Sequence, residues 1–171
     1  SRINNLSIIS EVPSFKLDNF DGIPFTEKKL DNKITVVSFI FTQCEGACPI
    51  MSTNMGLLQK RFSDSDILQF VSITTDPDYD SSNILKEFSD IIDRLLILDI
   101  FFVGKTLFFV RSIFLSESIS ITLFMMEPPV GHSTRLILID KDRNIRKYYE
   151  GTVDANIVEL QNDIVTLIKQ D

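Results

Sequence analysis

The stretch Ile34-Thr35-Val36-Val37-Ser38-Phe39-Ile40-Phe41-Thr42-Gln43-Cys44-Glu45-Gly46-Ala47-Cys48-Pro49 decides the reading of this chain. Residues 34–41 are β-branched or aromatic almost throughout, which predicts a central strand buried on both faces. Pro49 suits the first position of a helix, where its missing N–H costs nothing. Ile50, Met51, Leu57 and Leu58 then recur at helical spacing up to about Phe62. The chain's two cysteines, Cys44 and Cys48, therefore fall at a strand-to-helix junction, with Gly46 between them and Pro49 after. A helix N-terminus carries partial positive charge and open N–H groups, so this position is expected to hold a thiolate and lower a cysteine pKa. Three intervening residues let the sulfurs converge, to close a disulfide or to clasp one soft ion. Buried cysteines also serve as plain small hydrophobes, but chance rarely places the only two at such a junction. Three residues, rather than the two of ordinary dithiol exchange, favour metal clasping or a modified redox role.

Outward from this stretch, residues 14–17 and 23–26 flank Asp18-Asn19-Phe20-Asp21-Gly22, turn chemistry that predicts an N-terminal β-hairpin. Residues 1–12 read as a lead-in. Residues 67–74 form a second strand, and Asp80 or Ser81 caps a helix running to about Ile92. A short strand is expected at 95–98, a helix at 104–114 and a strand at 119–124. Residues 135–140 and 145–149 read as two strands joined by Lys141-Asp142-Arg143-Asn144. Asp154 caps a final helix with Ile157, Val158, Leu160, Ile164, Leu167 and Ile168 along it. This order predicts an α/β fold with a mixed central β-sheet flanked by helices. A buried strand feeding a cysteine pair at a helix start is the thioredoxin-like arrangement, although flavodoxin-like folds begin the same way.

With 171 residues and 19.5 kDa, the chain suits one domain, 1–171. Such a length buries roughly 70% of the unfolded surface. Two cysteines are too few for a disulfide scaffold. With 17 basic and 24 acidic side chains the net charge is −7, which excludes nucleic acid as a natural partner and suits a basic protein or a cationic metal donor. The most apolar stretch, 97–126, is interrupted by Asp99, Lys105, Arg111 and Glu117, so it reads as core strands and one buried helix rather than a membrane span. The opening Ser1-Arg2-Ile3-Asn4-Asn5 carries no secretory signal, and any membrane anchor would have to precede it.

The single histidine, His132, lies in Pro128-Pro129-Val130-Gly131-His132-Ser133-Thr134, a loop before a strand. In a thioredoxin-like fold that loop faces the cysteine helix. Two thiolates and one imidazole make a soft set that suits Cu(I), accommodates Cu(II) with an added ligand, and also suits zinc with one open position. A lone loop histidine is more often simply packed or hydrogen-bonded in place. Met125 and Met126 are soft auxiliary candidates, though methionine beside an apolar strand is usually packing, as is expected of Met51 and Met55.

Together these residues resemble the Sco/SenC family of copper-binding, thioredoxin-like proteins. The resemblance includes Phe39-Ile40-Phe41-Thr42 leading into Cys44-x-x-x-Cys48-Pro49, and Val71-Ser72-Ile73-Thr74-Thr75-Asp76-Pro77-Asp78-Tyr79-Asp80. It continues with His132-Ser133-Thr134-Arg135, a strand ending in Asp140, and Tyr148-Tyr149-Glu150-Gly151-Thr152, and so spans roughly residues 11 to 170. It implies copper ligands at Cys44, Cys48 and His132, with the two cysteines also serving as a redox pair. It implies work on the binuclear copper centre of cytochrome c oxidase, delivering copper to its copper-bearing subunit or another copper protein, reducing the target's cysteines, or both. It further implies an N-terminal membrane anchor, missing here, facing the bacterial periplasm from the inner membrane or facing the mitochondrial intermembrane space. Asp76 and Asp80 either tune the site's charge and contact a partner or act as turn and helix-cap residues; the cap reading is preferred for Asp80. The chain departs from the family at 93–120, where Leu98-Asp99-Ile100 stands in place of Gly-Asp.

A copper metallochaperone needs both cysteines and His132. A thiol–disulfide oxidoreductase on the same scaffold needs the cysteines and tolerates loss of the histidine. A peroxidase would need an activating Arg or Trp–Gln set that is not evident, and a disulfide-based redox sensor shares the oxidoreductase's requirements.

Overall fold

The computed structural model describes residues 6–19, 21–96, 101–104 and 133–170. In chain order the strands are β1 (Ser10–Glu11), β2 (Lys16–Asn19), β3 (Pro24–Thr26), β4 (Ile34–Ile40), β5 (Leu68–Thr74), β6 (Phe101–Gly104), β7 (Arg135–Ile139) and β8 (Asn144–Glu150). The helices are α1 (Ala47–Arg61), α2 (Ser82–Leu96) and α3 (Asp154–Ile168), with a 3₁₀ turn at Glu27–Leu30. The strands form one mixed sheet in the order β1-β8-β7-β4-β5-β6-β2-β3. The central β4 runs parallel to β5 and antiparallel to β7, as the thioredoxin-like expectation requires.

All seven residues of β4 are buried, which is why its sequence lacks polar alternation. Its side chains divide between two cores. Val37 and Phe39 pack with Val71, Ile73, Ile137, Ile139, Leu17 and Phe25. Ile34 and Val36 pack with Leu136, Leu138 and Tyr149, with Met51, Met55 and Leu58 of α1, and with Leu160, Ile164 and Leu167 of α3. Each such side chain contributes about 1.5–3 kcal/mol of hydrophobic stabilisation. Met51 and Met55 are core residues, as expected.

The N-terminal hairpin forms with Leu17 opposite Phe25. Asn19 Oδ1 accepts the N–H groups of Asp21 (2.9 Å) and Ile23 (2.8 Å), and Gly22 supplies the left-handed φ of +76° that the turn requires. In the β7–β8 turn, Asp140 Oδ1 accepts the N–H groups of Asp142 and Asn144, both at 2.9 Å.

Several boundaries differ from the sequence reading. Helix α1 begins at Ala47, two residues before Pro49, which puts Cys48 in its first turn; proline is tolerated throughout that turn because none of its N–H groups has an intrahelical partner. Helix α2 continues to Leu96 and absorbs the start of the strand expected at 95–98. Gly104 ends β6 instead of opening a helix. The remainder of the helix expected at 104–114, the strand expected at 119–124, Met125 and Met126 lie outside the described residues. The lead-in is not featureless: β1 pairs with β8, and Arg146 donates from Nε and Nη2 to the Leu6 carbonyl while its Nη1 meets Asp140 at 2.7 Å. Asp154 is the first residue of α3 and not its cap; that place falls to Val153, whose side chain has nothing to donate or accept. Among the described residues no helix is long and apolar enough to cross a membrane.

Candidate metal centre

Strand β4 delivers the chain to the site, and a tight turn redirects it: the Cys44 N–H donates to the Phe41 carbonyl at 3.1 Å. Three residues later α1 starts, with Gly46 at its N-cap. Cys44 and Cys48 are both buried and unbridged. The Cys48 backbone N–H donates to Cys44 Sγ at 3.4 Å, so one open donor of the helix's first turn is aimed at the first cysteine's sulfur. Ile40 and Leu85 pack around the pair, with Phe41 and Phe88 partly buried beside them.

The thiolate expectation fails for Cys48. Burial pushes its thiol up to about 12, against an opposing backbone hydrogen bond at Phe41, and the Cys44 thiol and the Asp80 charge push it the same way. Desolvation here outweighs the helix N-terminus.

Asp80 is not the cap of α2. That role belongs to Ser81, whose Oγ accepts the Ile84 N–H at 3.4 Å. The Asp80 side chain is instead buried, 3% exposed, beneath the cysteine loop. Its two oxygens accept the Thr42 N–H at 3.3 and 3.2 Å, and the hydroxyls of Thr42 and Thr74 also donate to it. Asp76 shapes the turn through its backbone: its N–H donates to Thr74 Oγ1 at 3.0 Å and its carbonyl accepts the Asp80 N–H at 2.8 Å. The sequence held the signal for Asp80, in Thr42 two residues before Cys44 and Thr74 at the neighbouring strand end. Helix-cap composition gave a simpler account and hid it.

His132 lies outside the described residues. The residues after it are described. Ser133 is buried, and its Oγ accepts the Arg135 N–H at 3.1 Å. The Thr134 carbonyl accepts the Gly151 N–H at 2.7 Å, and the Gly151 carbonyl accepts Asn54 Nδ2 of α1 at 2.8 Å. A Cβ on Gly151 would stand 2.9 Å from the Thr134 carbonyl oxygen and 3.0 Å from Met51 Cγ, so this approach needs glycine. Antiparallel pairing of Ser38 with Leu136 sets the start of β7 beside the end of β4. The chain that follows His132 thus joins the sheet at the end that carries the cysteine loop. Among the described residues no three His, Cys, Asp or Glu side chains gather as a metal-holding group.

Comparison with known proteins agrees with this geometry. A SCO1 protein homolog of Bacillus subtilis (strain 168) is 35% identical over 80 residues, 46% of this chain and 42% of the relative, so the alignment spans less than half of that protein. A SCO1/SenC family lipoprotein from Bacillus anthracis str. Ames superimposes with a TM-score of 0.76 at 29% identity, covering 93% of this chain and 95% of that one. Arabidopsis thaliana ScoI, solved with copper bound, shares the fold with a TM-score of 0.74 at 22% identity, covering 95% of this chain and 100% of that one. The SCO1/SenC family model matches residues 8–99, more than half of the chain and including both cysteines and Asp80, and the chain therefore belongs to the SCO1/SenC family.

Proposed function

We propose that this chain is a copper metallochaperone, one domain in which Cys44, Cys48 and His132 hold a copper ion as cargo. The observation that carries the reading is the placement of both cysteines where β4 gives way to α1, buried beside Ile40 and Leu85, with the Cys48 backbone N–H 3.4 Å from Cys44 Sγ. Two soft sulfur donors in a dry recess suit a soft ion better than a hard one. ScoI of Arabidopsis, which shares the fold, was solved with copper bound, and that supports copper as the cargo. The ion displaces the thiol protons on entry and leaves through intermediates in which ligands are shared with the acceptor. The acceptor in this reading is the copper-bearing subunit of cytochrome c oxidase or another copper protein. The work is done outside the cytoplasm, in the bacterial periplasm from an inner-membrane anchor or, alternatively, in the mitochondrial intermembrane space; the Bacillus anthracis relative's being a lipoprotein supports an anchored setting.

A second reading, thiol–disulfide reduction, is favoured by the hydrogen bond at Cys44 Sγ. The Cys44 thiolate attacks a partner disulfide, forming a mixed disulfide and releasing the partner's other sulfur as a thiolate. Cys48 then gives up its proton to the departing partner sulfur as it attacks the Cys44 sulfur, releasing the second partner thiol and leaving a Cys44–Cys48 disulfide.

The deciding experiment is a titration of the fully reduced protein with copper against a competing Cu(I) chelator, beside His132→Ala and Cys44→Ser/Cys48→Ser. One copper bound by the wild type, with affinity reduced in both variants, is the expected result. Unchanged affinity in His132→Ala, or no binding at all, transfers the assignment to the reductase.

A further inference from the structure

We infer that Asp80 is a positioning residue for the cysteine pair, holding Cys44 and Cys48 in the arrangement in which they act together. The inference rests on the reading of these cysteines as the working pair. Three separate pieces of chain meet at this carboxylate. Thr42 belongs to the turn that delivers Cys44, Thr74 is the last residue of β5, and Asp80 itself precedes the first turn of α2. The turn at Thr42 has no sheet partner of its own, because β4 ends at Ile40. Its N–H and its hydroxyl both donate to Asp80, so the carboxylate takes over where the ladder stops. On the next residue the strand ends are pinned as well: the Thr75 N–H donates to the Ile40 carbonyl at 2.8 Å. Helix α2, which begins just after Asp80, returns Leu85 into the packed cluster that holds both cysteines. Asp80 therefore ties the turn before Cys44 to the helix that packs over Cys44 and Cys48. A buried carboxylate with three donors from other segments is a rigid joint, since each partner lost leaves charge uncompensated in a desolvated place.

The test uses the 171-residue chain and three readouts: Cu(I) affinity by chelator competition, the Cys44–Cys48 midpoint potential in glutathione buffers, and the thermal midpoint. Asp80→Asn and Thr42→Val are each expected to weaken copper binding about tenfold or more, the usual size for an outer-shell partner. Both should also move the dithiol potential to less negative values, because sulfurs held less closely form a disulfide less readily. Thr42→Ser keeps the hydroxyl and should restore both readouts. Tyr149→Phe, at a buried hydrogen bond away from the site, controls for stability loss and should move neither. If Asp80→Asn does not fold, Thr42→Val against Thr42→Ser decides. The inference is overturned if Asp80→Asn and Thr42→Val keep wild-type affinity and potential, or if Tyr149→Phe shifts them equally. Should the wild type bind no copper, the metallochaperone reading falls, and the potential alone still decides whether Asp80 positions the pair.

Discussion

Two carboxylates are buried almost equally in this molecule, Asp80 at 3% exposure and Asp163 at 2%, and their surroundings differ in kind. Asp163, on α3, accepts the Tyr149 hydroxyl at 2.7 Å and lies 3.5 Å from Lys147 Nζ; both partners come from β8. Lys147 also meets Glu159 of α3 and sits 5.3 Å from the Tyr149 ring centre. All these groups stand on regular elements whose backbones are already satisfied, so the cluster locks a helix to a sheet. Asp80 instead binds a backbone N–H and two hydroxyls where regular structure has run out. The same chemical device locks two regular elements in one place and holds the turn before Cys44 in the other.

The comparison is open to being broken, first by Asp163→Ala. It strands a buried phenol and leaves Lys147 with Glu159 alone, at a cost of about 3 kcal/mol, which lowers the thermal midpoint by roughly 6–12 °C in a domain of this size. Copper affinity should not change, and a parallel fall would mean that the two clusters are not independent. Next in size is Gly151→Ala, where overpacking against Thr134 and Met51 costs about 1–3 kcal/mol. Because Thr134 lies two residues after His132, this substitution should also weaken copper binding, so a chelator competition that shows stability loss alone would separate Gly151 from the site. Tyr149→Phe removes one hydrogen bond and costs about 1 kcal/mol, read by urea unfolding.

A pH titration sharpens the contrast further, with no effect near neutrality. Burial, then the Asp163 hydrogen bond, raises Tyr149 well above its ordinary value of 10.0. Burial likewise raises Cys48 from 9.0 to about 12. Both groups are neutral when protonated and are held so by the fold. Their contribution is complete below pH 9 and is lost as the pH climbs, from 9 upward for Cys48 and from 10 upward for Tyr149. Metal-free, reduced protein should therefore lose urea resistance in two overlapping alkaline stages. Cys48→Ser should remove the earlier stage and Tyr149→Phe the later one; a single unchanged stage in both variants would show that other groups set the alkaline limit.

The placement of the cysteine pair was legible because strong signals coincide in one short stretch, whereas His132 lies outside the described residues. An unbroken apolar strand, two cysteines and a proline leave few arrangements open, and the cysteine loop, α1 and β5 fall where the pattern places them to within two residues. Pattern failed where composition satisfies two accounts. Asp80 and Ser81 both suit a helix cap, and only burial reveals that the serine caps and the aspartate turns inward. Asp154 illustrates the same ambiguity, since an acidic residue is equally at home on either side of a helix start. Strand β1 escaped because Ser10 and Glu11 carry no apolar alternation; their place is set by pairing with Asn144 and Ile145. The pKa direction of Cys48 was misjudged because sequence reports the helix terminus but not the depth of burial.

Among the described residues the sheet ends on β1 at one side and β3 at the other, strands of two and three residues, and β3 opens with Pro24, which has no N–H to offer. A second copy seeking to extend the sheet therefore finds almost no ladder to copy. In the metallochaperone reading, where the cysteines meet another protein, this leaves such encounters to side chains. Concentrated preparations should therefore resist fibril growth by edge-to-edge pairing.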